Sequence, residues 1–208
     1  ATSYDIQWDV GTSYVSSQTI TGTSLSITVQ VVSLGSHTWR VRAKNASGTG
    51  NYSSQRTYTV ALAAPTLNSP ANGTTINVGS TLNFSWSAVT GATSYDIEWD
   101  TGTSYVSIQN VTGTSLSITV QTASLGSHTW HVRAKNGSTS GAYSSSRNYT
   151  VTLAAPNLSS PANGVNVNVG STLNFSWSSV TGATSYEIEW DAGTSYASSQ
   201  TVSGTSIS

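Results

Sequence analysis

The chain has no cysteine, no methionine, four prolines and only 7% Asp, Glu, Lys and Arg among its 208 residues. Without cysteine there is no disulfide, no thiolate metal centre and no cysteine nucleophile. The scarcity of charge excludes more. Soluble proteins average about 25% charged residues, so this surface must be hydroxyl and amide rather than ionic, Ser and Thr making up roughly a third of the sequence. A formal net charge of -1 supplies neither a basic stripe for phosphates nor a polybasic patch for a membrane surface. Nucleic acid and membrane insertion are therefore set aside. No apolar run approaches the roughly 20 residues that span a bilayer. The sequence starts at Ala1 without Met and reads as a processed piece, or a window cut from something longer.

What is present is aromatic and repetitive. Seven Trp, ten Tyr and 36% hydrophobic residues are enough to build cores. Ala1, Ala92 and Ala183 open equivalent words, "ATSYDIQWD", "ATSYDIEWD" and "ATSYEIEWD", a period of 91 residues. A repeat that long closes a core by itself, as a β-sandwich of about seven strands does, whereas solenoid units of about 20 to 50 residues cannot. Apolar residues alternate: Leu82, Phe84 and Trp86; Tyr95, Ile97 and Trp99; Leu116, Ile118 and Val120; Trp130, Val132 and Ala134; Tyr149 and Val151. Such two-faced runs are half-buried strands. Between them stand "SPANGT", "VTGAT", "DTGTS" and "KNGSTSG", which are turn chemistry. The expectation is an all-β chain of tandem seven-stranded antiparallel sandwiches: a partial one at 1–61 (strands C to G), a complete one at 62–152, and a partial one at 153–208 (strands A to C′ and the start of E).

"APTLNSPANGTT", "LNFSWSAVTGATSYDIEWD" and "LGSHTWHVRAKNGS", in this order and at this spacing, resemble fibronectin type III (immunoglobulin-like) repeats of microbial secreted or surface proteins. The resemblance implies strand A, strand B running into C, and strand F. It also implies a Tyr six residues after a Leu, making a buried corner. Here Leu125 is followed by Trp130 at five, so the corner bond is either missing or made by an indole N–H. The partial ends are completed either by a longer tandem chain or by neighbouring subunits that add strands end to end.

Asp96, Glu98 and Asp100 alternate on one face of strand C, opposite Tyr95, Ile97 and Trp99. By the same alternation strand F presents His131, Arg133 and Lys135 outward. The expected arrangement is a C–F charge ladder that sets register, not a catalytic acid pair, because a flat face beside cations lowers a carboxyl pKa. "DTGTS" lacks the second acid a calcium loop wants. His37, His128 and His131 are too scattered for zinc. Lys44 and Lys135 lie out of phase with the core, unlike the buried Lys of an isopeptide staple. No catalytic, metal or cofactor residue is assigned. Tyr105, on an edge strand, is the candidate sugar contact.

Asn-x-Ser/Thr occurs at Asn45, Asn51, Asn72, Asn83, Asn110, Asn136, Asn148, Asn157 and Asn174. Each is a candidate N-glycosylation site in a secreted chain. Asn45 and Asn136 are equivalent in the repeat, as are Asn83 and Asn174. The functional expectation is a structural repeat protein: an extracellular or cell-surface stalk or fibre of beaded sandwiches, self-associating end to end or laterally, with covalent glycans. The alternative is an adhesin, or carbohydrate-binding accessory repeats of a secreted enzyme.

Overall fold

A computed structural model describes residues 1–9, 14–29, 34–100, 105–191 and 196–207. The chain is all-β: among the described residues the regular elements are strands apart from a 3-10 turn at Thr122–Ser124. In chain order the strands are β1 (Ser3–Asp9), β2 (Tyr14–Ile20), β3 (Gly35–Asn45), β4 (Gly48–Thr49) and β5 (Arg56–Val60). Then come β6 (Leu67–Ser69), β7 (Thr74–Asn77), β8 (Thr81–Trp86), β9 (Ser94–Asp100), β10 (Tyr105–Val111), β11 (Ser115–Thr119), β12 (Gly126–Asn136), β13 (Thr139–Tyr143) and β14 (Arg147–Thr152). The last are β15 (Leu158–Ser160), β16 (Phe175–Trp177), β17 (Tyr186–Asp191), β18 (Tyr196–Val202) and β19 (Ser206–Ile207).

Strands β6 to β14 form a sandwich of two sheets, ordered β11-β8-β6 and β10-β9-β12-β14-β7. The alternation of β8 puts Leu82, Phe84 and Trp86 inside and Thr81 and Asn83 outside. The facing strands contribute Tyr95, Ile97, Trp130, Val132, Tyr149 and Val151 to the same core. Phe84 sits at its centre, 4.9 Å from the Trp130 ring and 5.9 Å from Tyr149. Burying an aromatic side chain of this kind contributes about 1.5–3 kcal/mol.

The first strand of this unit divides. After β6 pairs β8, the chain passes a cis Ser69–Pro70 peptide, and β7 joins the opposite sheet, parallel to β14. Arg147 clasps the bend, donating to the carbonyls of Leu67 (2.6 Å), Asn68 (3.0 Å) and Pro70 (2.8 Å). The far edge also divides, because β13 and β14 both pair with β12. Between them Ser144 takes the ladder's place: its amide donates to Val132 O at 2.8 Å, and its hydroxyl accepts from Val132 N at 3.1 Å.

The flanking residues repeat parts of this plan. Strands β1 to β5 form one sheet in which Tyr4, Ile6, Trp8, Trp39, Val41 and Tyr58 line an open hollow of about 600 Å³. Residues 24–29, expected as strand E, form no strand. In the central unit that strand is β11 and needs β8 as its partner, and 1–61 holds no counterpart of β8. At the other end, sheets β15-β16-β19 and β17-β18 flank a hollow of about 690 Å³ lined by Phe175, Trp177, Tyr186 and Ile188 among others.

Successive units touch directly. Leu62, in the connection after β5, is buried in the central core, and Leu34 packs against that core from the preceding unit. A Cβ on Gly141 would lie 2.7 Å from Leu62 O, so only glycine admits this approach. At the next connection Gly182 stands so close that a Cβ would meet Thr122 Oγ1 at 2.8 Å and Val78 Cγ1 at 3.1 Å.

Candidate functional site

The charges gather on the outer face of β9 and β12. Their register sets His131 opposite Glu98 and Arg133 opposite Asp96, with Lys135 opposite Ser94. His131 Nε2 is 3.0 Å from Glu98 Oε2. Arg133 donates through Nε (3.0 Å) and Nη2 (2.9 Å) to Asp96 Oδ2, and Lys135 Nζ stands 3.6 Å from the same oxygen. From β13, Tyr143 donates its hydroxyl to Glu98, while its ring stacks with His131 at 4.1 Å and lies under Arg133 at 4.7 Å.

Asp100 departs from the expected ladder. Three rungs would need Asp100 opposite His131, and the observed register is displaced by two residues from that pairing. Asp100 instead turns to the start of β12. Its carboxylate accepts from Thr129 N at 2.8 Å and from the Thr129 hydroxyl, and it meets His128 Nδ1 at 3.0 Å. His128 is only 1% exposed and stacks on Tyr149. The first repeat holds the same knot: Asp9 accepts from Thr38 N at 2.7 Å and meets His37 Nδ1 at 2.9 Å. The sequence signal for this pin was an Asp followed 28 residues later by a His, in both repeats.

The rungs themselves change in step between repeats. Where β9 and β12 carry Glu98 and His131, β1 and β3 carry Gln7 and Arg40, with Arg40 Nε 3.0 Å from Gln7 Oε1. Asp5 keeps its cation, Arg42, at 3.0 Å. Thr19 donates to Asp5 at 2.6 Å where Asn110 donates to Asp96 at 2.9 Å. Tyr52 takes the place of Tyr143, with Arg40 at 4.2 Å and Arg42 at 4.7 Å over its ring.

The electrostatics oppose acid catalysis. Burial pushes the Asp96 carboxyl up, but hydrogen bonds from Asn110 and Arg133 and the charges of Lys135 and Arg133 hold it below the usual aspartate value. Burial also raises Glu98, and Tyr143, His131 and Arg133 bring it down overall. A general acid needs the reverse shift. Burial and the Glu98 carboxylate push the Tyr143 hydroxyl up to about 12. Among the described residues no group of three or more His, Cys, Asp or Glu is placed to hold a metal ion.

Of the other expected residues, Asn110 joins this cluster through Asp96 and most of the rest lie apart from it. Tyr105 pairs with Asp100 through its backbone, and its side chain lies outside the described residues, as does the "TGTS" loop before it. Lys44 and Lys135 reach Asp5 and Asp96, each at 3.6 Å, from partly exposed positions. Trp130 makes no corner bond, since its indole nitrogen is buried without a partner. Among the asparagines, Asn45, Asn51, Asn72, Asn83, Asn110, Asn148, Asn157 and Asn174 are exposed and Asn136 is half-buried.

Two facing sheets with strand A shared between them and a C–F ladder outside complete the outline. The fold is fibronectin type III-like. No protein-family model matches the sequence, and no curated protein matches it. Among solved structures, the chain is similar to the FN1–FN3 domains of chicken CNTN1, at 18% identity and a TM-score of 0.35 over 99% of this chain and 77% of that one. It is similar to a two-domain fibronectin type III segment of chicken tenascin, at 12% identity and a TM-score of 0.42 over 71% of this chain and 83% of that one. It is also similar to the chicken interferon gamma receptor alpha chain, at 16% identity and 0.43 over 71% and 84%.

Proposed function

We propose that the chain is a structural segment of an extracellular stalk or fibre, built of fibronectin type III-like units and of the kind carried by microbial secreted or surface proteins. The observation that carries this reading is the direct contact between successive units: Leu34 of the first packs against the central core, into which the connecting Leu62 is sealed under Gly141, and Gly182 of the last presses against Val78 and Thr122. Contacts that tolerate no Cβ fix the angle between units, as a rod requires and a flexible tether does not. Pro156 in the connection between β14 and β15 stiffens it further. The role is non-enzymatic, because the charged clusters of the first and central units are spent on pairing strands.

The partner is more of the same molecule. Low net charge offers little repulsion to lateral or end-to-end association. The apolar hollows at 1–61 and 153–208 are covered by further units of a longer chain or by strands of a neighbouring copy.

Electron microscopy of native material tests the proposal. The expected result is a continuous filament with an axial repeat of about 30 Å, one sandwich length of eight or nine residues at strand rise. Discrete short particles would overturn it in favour of the adhesin or enzyme-accessory reading.

A further inference from the structure

A glycan on asparagine needs the side-chain amide nitrogen, and the fold treats that atom differently at the nine Asn-x-Ser/Thr positions. Asn110 Nδ2 lies within the ion-pair cluster, 2.9 Å from Asp96 Oδ1, 3.2 Å from Ser94 Oγ and 3.4 Å from Tyr95 O. Asn136 Nδ2 donates to Gly91 O at 2.6 Å and ties the turn after β12 to the loop before β9. A glycosidic bond replaces one of the two N–H groups and sets a sugar ring where these partners stand. Its repeat equivalent, Asn45, is exposed, and its carbonyl oxygen accepts from Ser47 N and Gly48 N.

Asn83 meets the opposite conditions. It lies in the middle of β8 and is exposed. Its Oδ1 accepts from the Ser117 hydroxyl at 2.6 Å, which leaves Nδ2 outward with no partner among the described residues. Strand alternation buries Phe84 and keeps Asn83 and Ser85 together on the outer face. Around them Thr81, Ser115, Ser117 and Thr119 present hydroxyls without a charge, a surface on which a sugar ring finds donors and acceptors. Asn174 occupies the equivalent place 91 residues on, also exposed. Of the two recurring pairs, only this one has both amide nitrogens free of protein partners among the described residues.

We infer that Asn83 and Asn174 carry N-linked glycans, Asn83 on the outer face of the β8 sheet and Asn174 at the equivalent place in the unit that follows. The inference rests on the extracellular reading above. The coat would run along one side of the rod and leave the charged β9–β12 face bare.

Glycopeptide mass spectrometry of the native protein tests this, before and after enzymatic release of N-linked glycans in heavy-oxygen water. The expected result is hexose-bearing mass additions on the peptides of Asn83 and Asn174, labelled aspartate at both after release, and unmodified Asn110 and Asn136. The variant Asn83→Gln, made in the producing cell, should lose one glycan from its intact mass. Bare Asn83 and Asn174, a glycan on Asn110 or Asn136, or an unchanged intact mass in the variant would each overturn the inference. The rod reading fails separately, through a missing axial repeat.

Discussion

Asp100 closes the end of β9 onto His128 at the start of β12, 3.0 Å from the ring Nδ1, and Asp9 repeats the contact with His37 at 2.9 Å. This buried pair holds together two strands that are 28 residues apart in sequence. Replacing Asp100 by Ala leaves the Thr129 amide and hydroxyl without their acceptor, while His128 keeps the backbone carbonyl of residue 100 at 3.1 Å and the Ser124 carbonyl. A buried donor left unsatisfied costs about 1–3 kcal/mol. Urea unfolding of the variant should show a midpoint lowered accordingly, and an unmoved midpoint would remove the pin from the stability of the unit.

Acid should weaken the fold through the ladder. Asp96 and Glu98 have pKa values below their ordinary ones of 3.8 and 4.5. A depressed carboxyl contributes stability that is full above its unfolded pKa and is lost as pH falls through its folded pKa. Thermal unfolding between pH 7 and pH 2 should therefore show the loss confined to the acid end, below the ordinary carboxyl values. In Asp96→Asn that loss should be smaller, and equal slopes in both proteins would contradict it.

The step-wise change of rungs has its own test. Glu98→Gln with His131→Arg installs in the central unit the pair that Gln7 and Arg40 make in the first. Cross-strand pairs contribute about 0.2–1 kcal/mol. The double variant should be more stable than the sum of the single changes by that amount in a double-mutant cycle, and strict additivity would argue against a paired design.

The strands were legible because alternation survives in every run from Leu82 to Val151, and the 91-residue words gave the repeat without any knowledge of contacts. Alternation also chose the outward face of β9 and β12, but not which residues would stand opposite one another. Antiparallel register depends on where the connecting turns end, and that is why Asp100 could not be separated from Asp96 and Glu98. The division of strand A between two sheets was hidden for a similar reason. It depends on Arg147, about 80 residues away in sequence, reaching three carbonyls of the bend.

The junction between units admits a direct probe. Gly141→Ala adds a Cβ that meets Leu62 O at 2.7 Å, a backbone atom that cannot swing aside. Overpacking of this kind costs typically about 1–3 kcal/mol. Small-angle scattering should show the spacing between the first and central units altered, while circular dichroism keeps its strand signal. An unaltered scattering profile would mean that the contact does not set the geometry.

The parallel pairing of β7 with β14 gives the unit a mechanical character. Thr74 to Asn77 lie beside Tyr149 to Thr152, running the same way, near the two ends of the unit's chain. Tension along the chain pulls the start of β7 and the end of β14 in opposite directions. The load then falls on their ladder in shear, with all of its hydrogen bonds strained at once. Antiparallel end strands would unzip one bond at a time. The three carbonyls grasped by Arg147 and the Thr152 hydroxyl held at Asn77 (3.1 Å) extend the same clamp. A stalk made of such units would meet flow with a high yield force in each one.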